Sequence, residues 1–391
     1  MRCVSAGATC AAARRWVVPI VLVPLAAAAG PMAASAHAPG PLSHGVSAVS
    51  AGDSHSCAIE RGKAFCWGDN SYGELGVDGI RQSAVPVAVD TSGALAGKTL
   101  THIATGDDFT CALDSAGAAY CWGTNYGGAL GSGSGAGSSS APVAVDTRGV
   151  LAGKTLTQIS ASAFHACVLD SVGSAYCWGY NYWGQLGDGT TASSSVPAAV
   201  DTRGVLAGKT LTQISASYGS TCALDAAGAA YCWGDNAYGQ LGDGGTASSS
   251  VPVRVHARRV PGRRFSQLTD GGFHACGLDA AGAAYCWGYN QSGQLGDGSS
   301  TDSSAPVPVS TSGVLAGKTL TQVTGGWDYT CALDSAGQAF CWGFNLYGQL
   351  GDGSATGSAV PVAVDTTGVL AGRTLTSTFA GDCASARVRV R

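Results

Sequence analysis

Twelve cysteines in six pairs are the residues of this chain best placed to do chemistry: Cys57 and Cys66, Cys111 and Cys121, Cys167 and Cys177, Cys222 and Cys232, Cys276 and Cys286, Cys331 and Cys341. Partners stand nine residues apart in the first pair and ten in the rest. Thiols at such spacing can oxidise to a disulfide or ligate a soft metal. Zinc sites gather two close-spaced pairs on one ion, whereas each unit here offers a single pair, so no metal is expected.

Three other patterns look chemical and read as structural. The Gly-x-Leu-Ala-Gly-Lys-Thr type loops at 149–155, 204–210 and 313–319, with variants at 93–99 and 368–374, hold three residues between their glycines. A phosphate loop needs four, and a helix behind them. They read as inter-strand loops with a solvated lysine. His55, His165 and His274 lie two residues before a cysteine, where other repeats carry Phe109, Ser220 and Tyr329. A general base cannot be exchanged for phenylalanine, so packing or local hydrogen bonding is expected there. The Gly-Asp-Gly turns at Asp188, Asp243, Asp297 and Asp352 lack the additional acids of a calcium loop. No Ser-His-Asp order, paired-carboxylate cluster or His-x-x-x-His spacing recurs, so no catalytic residue, enzymatic activity or cofactor is assigned.

What positions the cysteines is a repeat. The first cysteines of the pairs lie 54, 56, 55, 54 and 55 residues apart, the mark of a solenoid or propeller. Within 153–200 the strand signals at 155–159, 165–169, 174–178 and 196–200 are short and punctuated by Gly, Ser and Pro, and no stretch sustains a helical period. Between the middle strands, Asp114 to Gly117 form a bulged hairpin turn in which Asp closes a side-chain loop and Gly takes the left-handed position. The first repeat is one residue shorter, with Arg61-Gly62 as a two-residue turn. This register sets Cys111 opposite Cys121, Ala112 opposite Tyr120, Thr110 opposite Trp122 and Leu113 opposite Ala119. Cysteine, leucine and alanine then share one face and the aromatics the other. Both faces need cover, which stacked blades supply. Opposed residues on antiparallel strands have Cα atoms roughly 4.5–5.5 Å apart, within disulfide range, so six disulfides local to their hairpins are expected.

The segment Trp-Gly-x-Asn-x-x-Gly-Gln-Leu-Gly-Asp-Gly at 178–189, 233–244, 287–298 and 342–353 resembles the regulator of chromosome condensation repeat family. Residues 67–79 and 122–135 are weaker copies. The resemblance covers about 46–380 and implies a β-propeller, usually seven-bladed. The fold expected is all-β, with four-stranded blades in six full repeats (near 46–99, 100–155, 156–210, 211–264, 265–319 and 320–380) plus the start of a seventh at 374–379. Residues 46–60 could close a six-bladed ring, or a seven-bladed ring is incomplete. Residues 381–391 read as an irregular basic tail.

Arg14 and Arg15 precede an apolar run at 16–29 too short to span a bilayer, followed by small residues through Ala38. Residues 1–38 read as a signal peptide and 39–45 as a short linker, which makes the mature chain extracytoplasmic, secreted or held in the cell envelope, without a membrane span. An oxidising compartment suits the disulfides; Cys3 and Cys10 leave with the leader, and Cys383 has no partner. Charged residues are 12% of the chain and the formal net charge is −4, which excludes the electrostatic footprint of nucleic-acid binding.

Asn70, Asn125, Asn181, Asn236, Asn290 and Asn345 recur in every unit and so serve the backbone. A binding site belongs to residues that break the repeat. Tyr72, Trp183, Tyr238 and Tyr347, with Trp327 outside the motif, either cap the outer blade edges or serve recognition of an extracellular protein or glycan from one rim. The irregular segments 132–140, 256–265 and 180–183 are further candidates. The expected protein is therefore a secreted bacterial member of this family, monomeric and non-enzymatic, acting as a disulfide-pinned scaffold for binding. Guanine nucleotide exchange, implied by the resemblance, and an extracellular propeller enzyme are the alternatives. Non-reducing peptide mapping is expected to find every paired sulfur joined within its own repeat; free sulfurs, or links between repeats, would overturn the register.

Overall fold

The computed structural model describes residues 46–368, 370–372, 374–379 and 387–390; the expected signal peptide and linker, with Cys3, Cys10 and Cys383, lie outside them. The described chain is an all-β propeller of six four-stranded antiparallel blades, each cut from one contiguous stretch with its strands in sequence order. In the third blade the strands are Leu156–Ala161, His165–Asp170, Ala175–Gly179 and Ser194–Ala199, within two residues of the sequence reading. The helical turns among the described residues are Tyr126–Gly128, Pro261–Arg263 and Gly313–Leu315.

A two-stranded sheet follows the sixth blade. Leu375–Phe379 pairs antiparallel with Arg387–Val390, packs on the first two strands of blade six, Leu320–Gly325 and Tyr329–Asp334, and also approaches Val46–Ala51 of blade one. The tail is therefore not irregular throughout. Arg387-Val388-Arg389-Val390 alternates with a strand's period of two, a run too short to be read against the repeat.

Each hairpin has the expected register, with Cys111 opposite Cys121, Ala112 opposite Tyr120 and Thr110 opposite Trp122. All six disulfides are formed within their own hairpins, with Cα atoms 4.0 to 4.1 Å apart, closer than in an unlinked pair. Asp114 closes the turn: its Oδ1 accepts from the amides of Ala116 and Ala118, and Oδ2 from the Tyr120 hydroxyl. Gly117 has φ 78°, a left-handed value that a Cβ would strain. The lysines of the repeated loops are not merely solvated. Lys98, Lys154, Lys209 and Lys318 lie 3.3, 3.2, 3.6 and 3.2 Å from Asp114, Asp170, Asp225 and Asp334. The blade connection runs past the hairpin turn, a proximity that sequence spacing does not reveal. Burial pushes the Asp114 carboxyl up, but the Ala118 amide, the Tyr120 hydroxyl and Lys98 together hold it below its ordinary value.

Blades meet through a repeated seam. The cysteine face of blade two, with Cys111, Leu113 and Cys121, packs on Ala166, Val168, Tyr176 and Trp178 of blade three. The fully buried indoles of Trp122, Trp178, Trp233, Trp287 and Trp342 each donate to a carbonyl in the preceding blade: Glu74, Ala129, Gln185, Gln240 and Gln294, all at 2.9 Å. Truncating such a side chain to Ala costs about 3–5 kcal/mol. The glycine two residues after that carbonyl is obligatory: a Cβ on Gly187 would lie 2.6 Å from Trp233 Nε1. Innermost strands are laced by glutamine. Gln158 donates to Thr212 O and accepts from Ile214 N, imitating a strand edge.

Histidines complete three seams. His165 Nε2 lies 2.8 Å from Thr221 Oγ1, and that hydroxyl donates to Gln185 O, so the imidazole must be the donor. His55 meets Thr110 and His274 meets Thr330 in the same way. Desolvation lowers the His165 pKa to about 3 from 6.5. The unfolded chain therefore binds this proton first, and the stability contributed by the neutral ring is complete above pH 6.5 and lost as pH falls toward the folded value. By pH 5 the loss is about 2 kcal/mol. Urea unfolding at pH 7.5 and pH 5 should show His165→Gln losing less stability on acidification than the parent by about that amount; equal losses would refute the assignment.

Candidate functional site: an aromatic and acidic face

Four sequential antiparallel strands place their first turn and last loop at one end of a blade, and the hairpin turn and blade connection at the other. The two faces of the propeller consequently carry different loops and different charge. In the first turns and last loops Arg81 is the one basic residue among Lys and Arg; blades two to six have none there. Arg148, Arg203, Arg258, Arg259 and the paired lysines lie on the opposite face.

On the face without lysine, aromatic rings of five blades touch in a continuous cluster. Tyr126 meets Phe164 at 5.3 Å, Phe164 meets Tyr180 at 6.0 Å and Tyr218 at 5.7 Å, and Tyr218 meets Trp183 at 5.7 Å. Beyond it, Tyr218 meets Trp327 at 4.9 Å and Phe273 at 5.3 Å, and Tyr238 joins Phe273 at 5.6 Å and Tyr289 at 4.8 Å. Tyr182 packs on Tyr180 and Trp183. Phe164, Tyr180, Trp183, Tyr218, Phe273, Tyr289 and Trp327 are all half-buried. Edge-to-face contact adds about 0.5–1.5 kcal/mol per pair beyond area burial, which holds the rings in place.

Of the rim aromatics, Trp183, Tyr238 and Trp327 are brought together, through Tyr218 and Phe273. Tyr72 and Tyr347 share the face but stand apart, 52% and 60% exposed, with Tyr347 against Phe344. Sequence reading passed over Tyr126, Phe164, Tyr218, Phe273 and Tyr289. Phe164 and Phe273 stand three residues before the cysteine while Tyr218 and Trp327 stand four before it, so no single repeat column displays them. The column after Trp-Gly, with Tyr180, Tyr289 and Phe344 against Asp69, Thr124 and Asp235, does carry a signal.

Carboxylates flank the rings. Burial pushes up the carboxyls of Asp53 and Asp108, and Asp108 is raised further by Asp53 and Asp69. Burial raises Asp328, beside Trp327, to about 6. Burial and then the charges of Asp107 and Asp235 raise the Tyr218 phenol. Among the described residues no group of three or more His, Cys, Asp or Glu could hold a metal ion. The Asp188 turn is a plain one, its Oδ1 accepting from the Thr190 amide. Asn236 serves the backbone, donating to Gly245 and Ala247 carbonyls and accepting from Leu241 N. Segment 256–265 lies on the opposite face, where His256, Arg258 and Arg259 line an open depression of about 320 Å³.

A disulfide-pinned propeller with one aromatic loop face defines a class, and residues 31–386 match the model of the RCC1-like domain. The chain belongs to that repeat family. It is similar to the Ultraviolet-B receptor UVR8 of Arabidopsis thaliana, 32% identical over 81% of this chain and 69% of that protein. It is also similar to the human E3 ubiquitin-protein ligase HERC2, 29% identical over 78% of this chain, which spans 6% of that protein. Among solved structures, human WBSCR16 superposes with a TM-score of 0.78 at 20% identity, covering 90% of this chain and 88% of that one. Prp20p from Saccharomyces cerevisiae superposes with a TM-score of 0.72 at 20% identity, over 86% and 80%. Both show the fold.

Five tryptophans are wholly buried while Trp67, Trp183 and Trp327 are half-buried. Replacing Trp183 and Trp327 by Phe should remove most of the acrylamide-quenchable emission and leave a blue-shifted spectrum. An unchanged accessible fraction would contradict the exposed face.

Proposed function

We propose that this chain is an exported, non-enzymatic recognition module that docks an extracytoplasmic protein on its aromatic and acidic face. The carrying observation is the continuous ring cluster: aromatic side chains held rigid, partly exposed and rimmed by charge are the anchors that dominate protein interfaces. Six disulfides support an oxidising compartment. The leader at 1–38 supports export, and with it the reading as a secreted bacterial member of the family that acts as a monomer. Protein is preferred to glycan because the rings meet largely edge to face, which leaves few open ring faces for a sugar to stack on. Guanine nucleotide exchange would need a cytosolic partner that export removes.

The test immobilises the oxidised mature chain and exposes it to proteins of the producing cell's medium and envelope. A Trp183→Ser/Tyr218→Ser variant should lose a partner that the parent and an Arg258→Glu/Arg259→Glu variant retain, with affinity falling at least roughly tenfold, the loss of about 1.4 kcal/mol. A partner held equally by the aromatic variant, or lost only with the arginines, overturns the reading.

A further inference from the structure

We propose that the mouth of the central channel binds an organic ammonium ion, with the Asp270 carboxylate as its counter-charge and Trp327 and Tyr218 as its aromatic wall. This rests on the recognition face described above but on a separate observation. The last residue of the innermost strand is Ala51, Thr105, Ala161, Ala216, Asp270 and Gly325 in successive blades. One carboxylate stands where the repeat otherwise uses small or neutral residues.

Asp270 is 7% exposed and lines a cavity of about 100 Å³ together with Ser217, Tyr218, Gly272 and Trp327. Its Oδ2 accepts from Ser220 Oγ at 2.9 Å, while Oδ1 has no partner. The neighbouring hydroxyls are already committed, Ser162 donating to Ser217 O, and Ser217 to the carbonyls of Gly271 and Gly272. Ionised, Oδ1 is an acceptor without a donor; protonated, it is a donor without an acceptor. Either state leaves a buried polar atom unsatisfied, which costs free energy that a ligand bearing N–H groups would return. Burial holds this carboxyl well above its ordinary value, the response of an anion deprived of a cation.

Among the described residues, the turns and loops of this face in blades two to six hold no Lys or Arg that could act as a counter-ion. Trp327 and Tyr218 line the same cavity as Asp270, aromatic side chains of the kind whose rings attract a cation. The cavity admits an ammonium head on a short alkyl stem. A calcium ion would need six to eight oxygens, and Asp270 is the cavity's one carboxylate. The ammonium could belong to a free amine or to a lysine of the docked protein.

Calorimetric titration of the oxidised chain with n-butylammonium chloride tests the site, with n-butanol as the neutral control and Nα-acetyl-lysine-N-methylamide as the lysine mimic. Saturable binding of butylammonium, absent for butanol and weakened at least tenfold by Asp270→Ala, is expected; Trp327→Leu should weaken it as well. Alanine already stands at this position in three sister blades, and Asp270→Asn serves as a second variant of nearly unchanged shape. No saturable binding, or binding indifferent to Asp270, overturns the proposal. Binding of the lysine mimic, with a parallel loss of partner affinity in Asp270→Ala, assigns the ammonium to a protein side chain. Butylammonium binding alone assigns it to a free amine. If Asp270→Ala leaves butylammonium and partner binding intact while Trp183→Ser/Tyr218→Ser loses the partner, the ammonium site fails and the docking face stands.

Discussion

One carbonyl oxygen per seam governs this molecule. Gln185 O receives the indole N–H of Trp233 and the hydroxyl of Thr221 from the next blade, and the same pairing recurs at Glu74 and Gln294. The bond is buried, so breaking it strands a donor and an acceptor away from water. It also fixes how closely two blades approach, and hence why glycine must follow at Gly187. The loop's close approach and the buried tryptophan of five hairpins both serve that one contact.

The seam also explains why the aromatic face is rigid. The carbonyl belongs to the last loop of a blade, the same loop that carries Tyr180, Trp183 and Tyr238. Asn181 and Asn236 tie that loop from within, and Gln185 and Gln240 accept from the amides of Trp183 and Tyr238. A surface anchored in this way needs little ordering on binding, which lowers the entropic cost of association. Disulfides hold the second and third strands, where a chain so poor in charge and so rich in glycine would otherwise have a broad unfolded ensemble.

Much of this was legible in the residues. The nine- and ten-residue cysteine spacing and the Asp-x-x-Gly turn fixed the hairpin register, the register fixed the faces, and the faces required stacked blades. Those inferences hold because turn chemistry and strand period act over a few residues. The lysine pairs were not legible, since Lys154 reaches Asp170 only after the chain has turned back along the blade. The strand at Arg387–Val390 was missed for a related reason: it is defined by its partner more than by its own composition.

The aromatic cluster marks the boundary between the two kinds of information. The amino-acid sequence by itself determined a repeated, disulfide-pinned, all-β unit and the aromatic residues it carries, because those depend on local pairing and periodicity. Only the tertiary structure decided that Phe164, Tyr218, Phe273 and Trp327, drawn from four blades, meet at the channel mouth above Asp270. The physical reason is rotational: closing the blades around an axis converts positions about 55 residues apart into neighbours, whatever their exact column in the repeat.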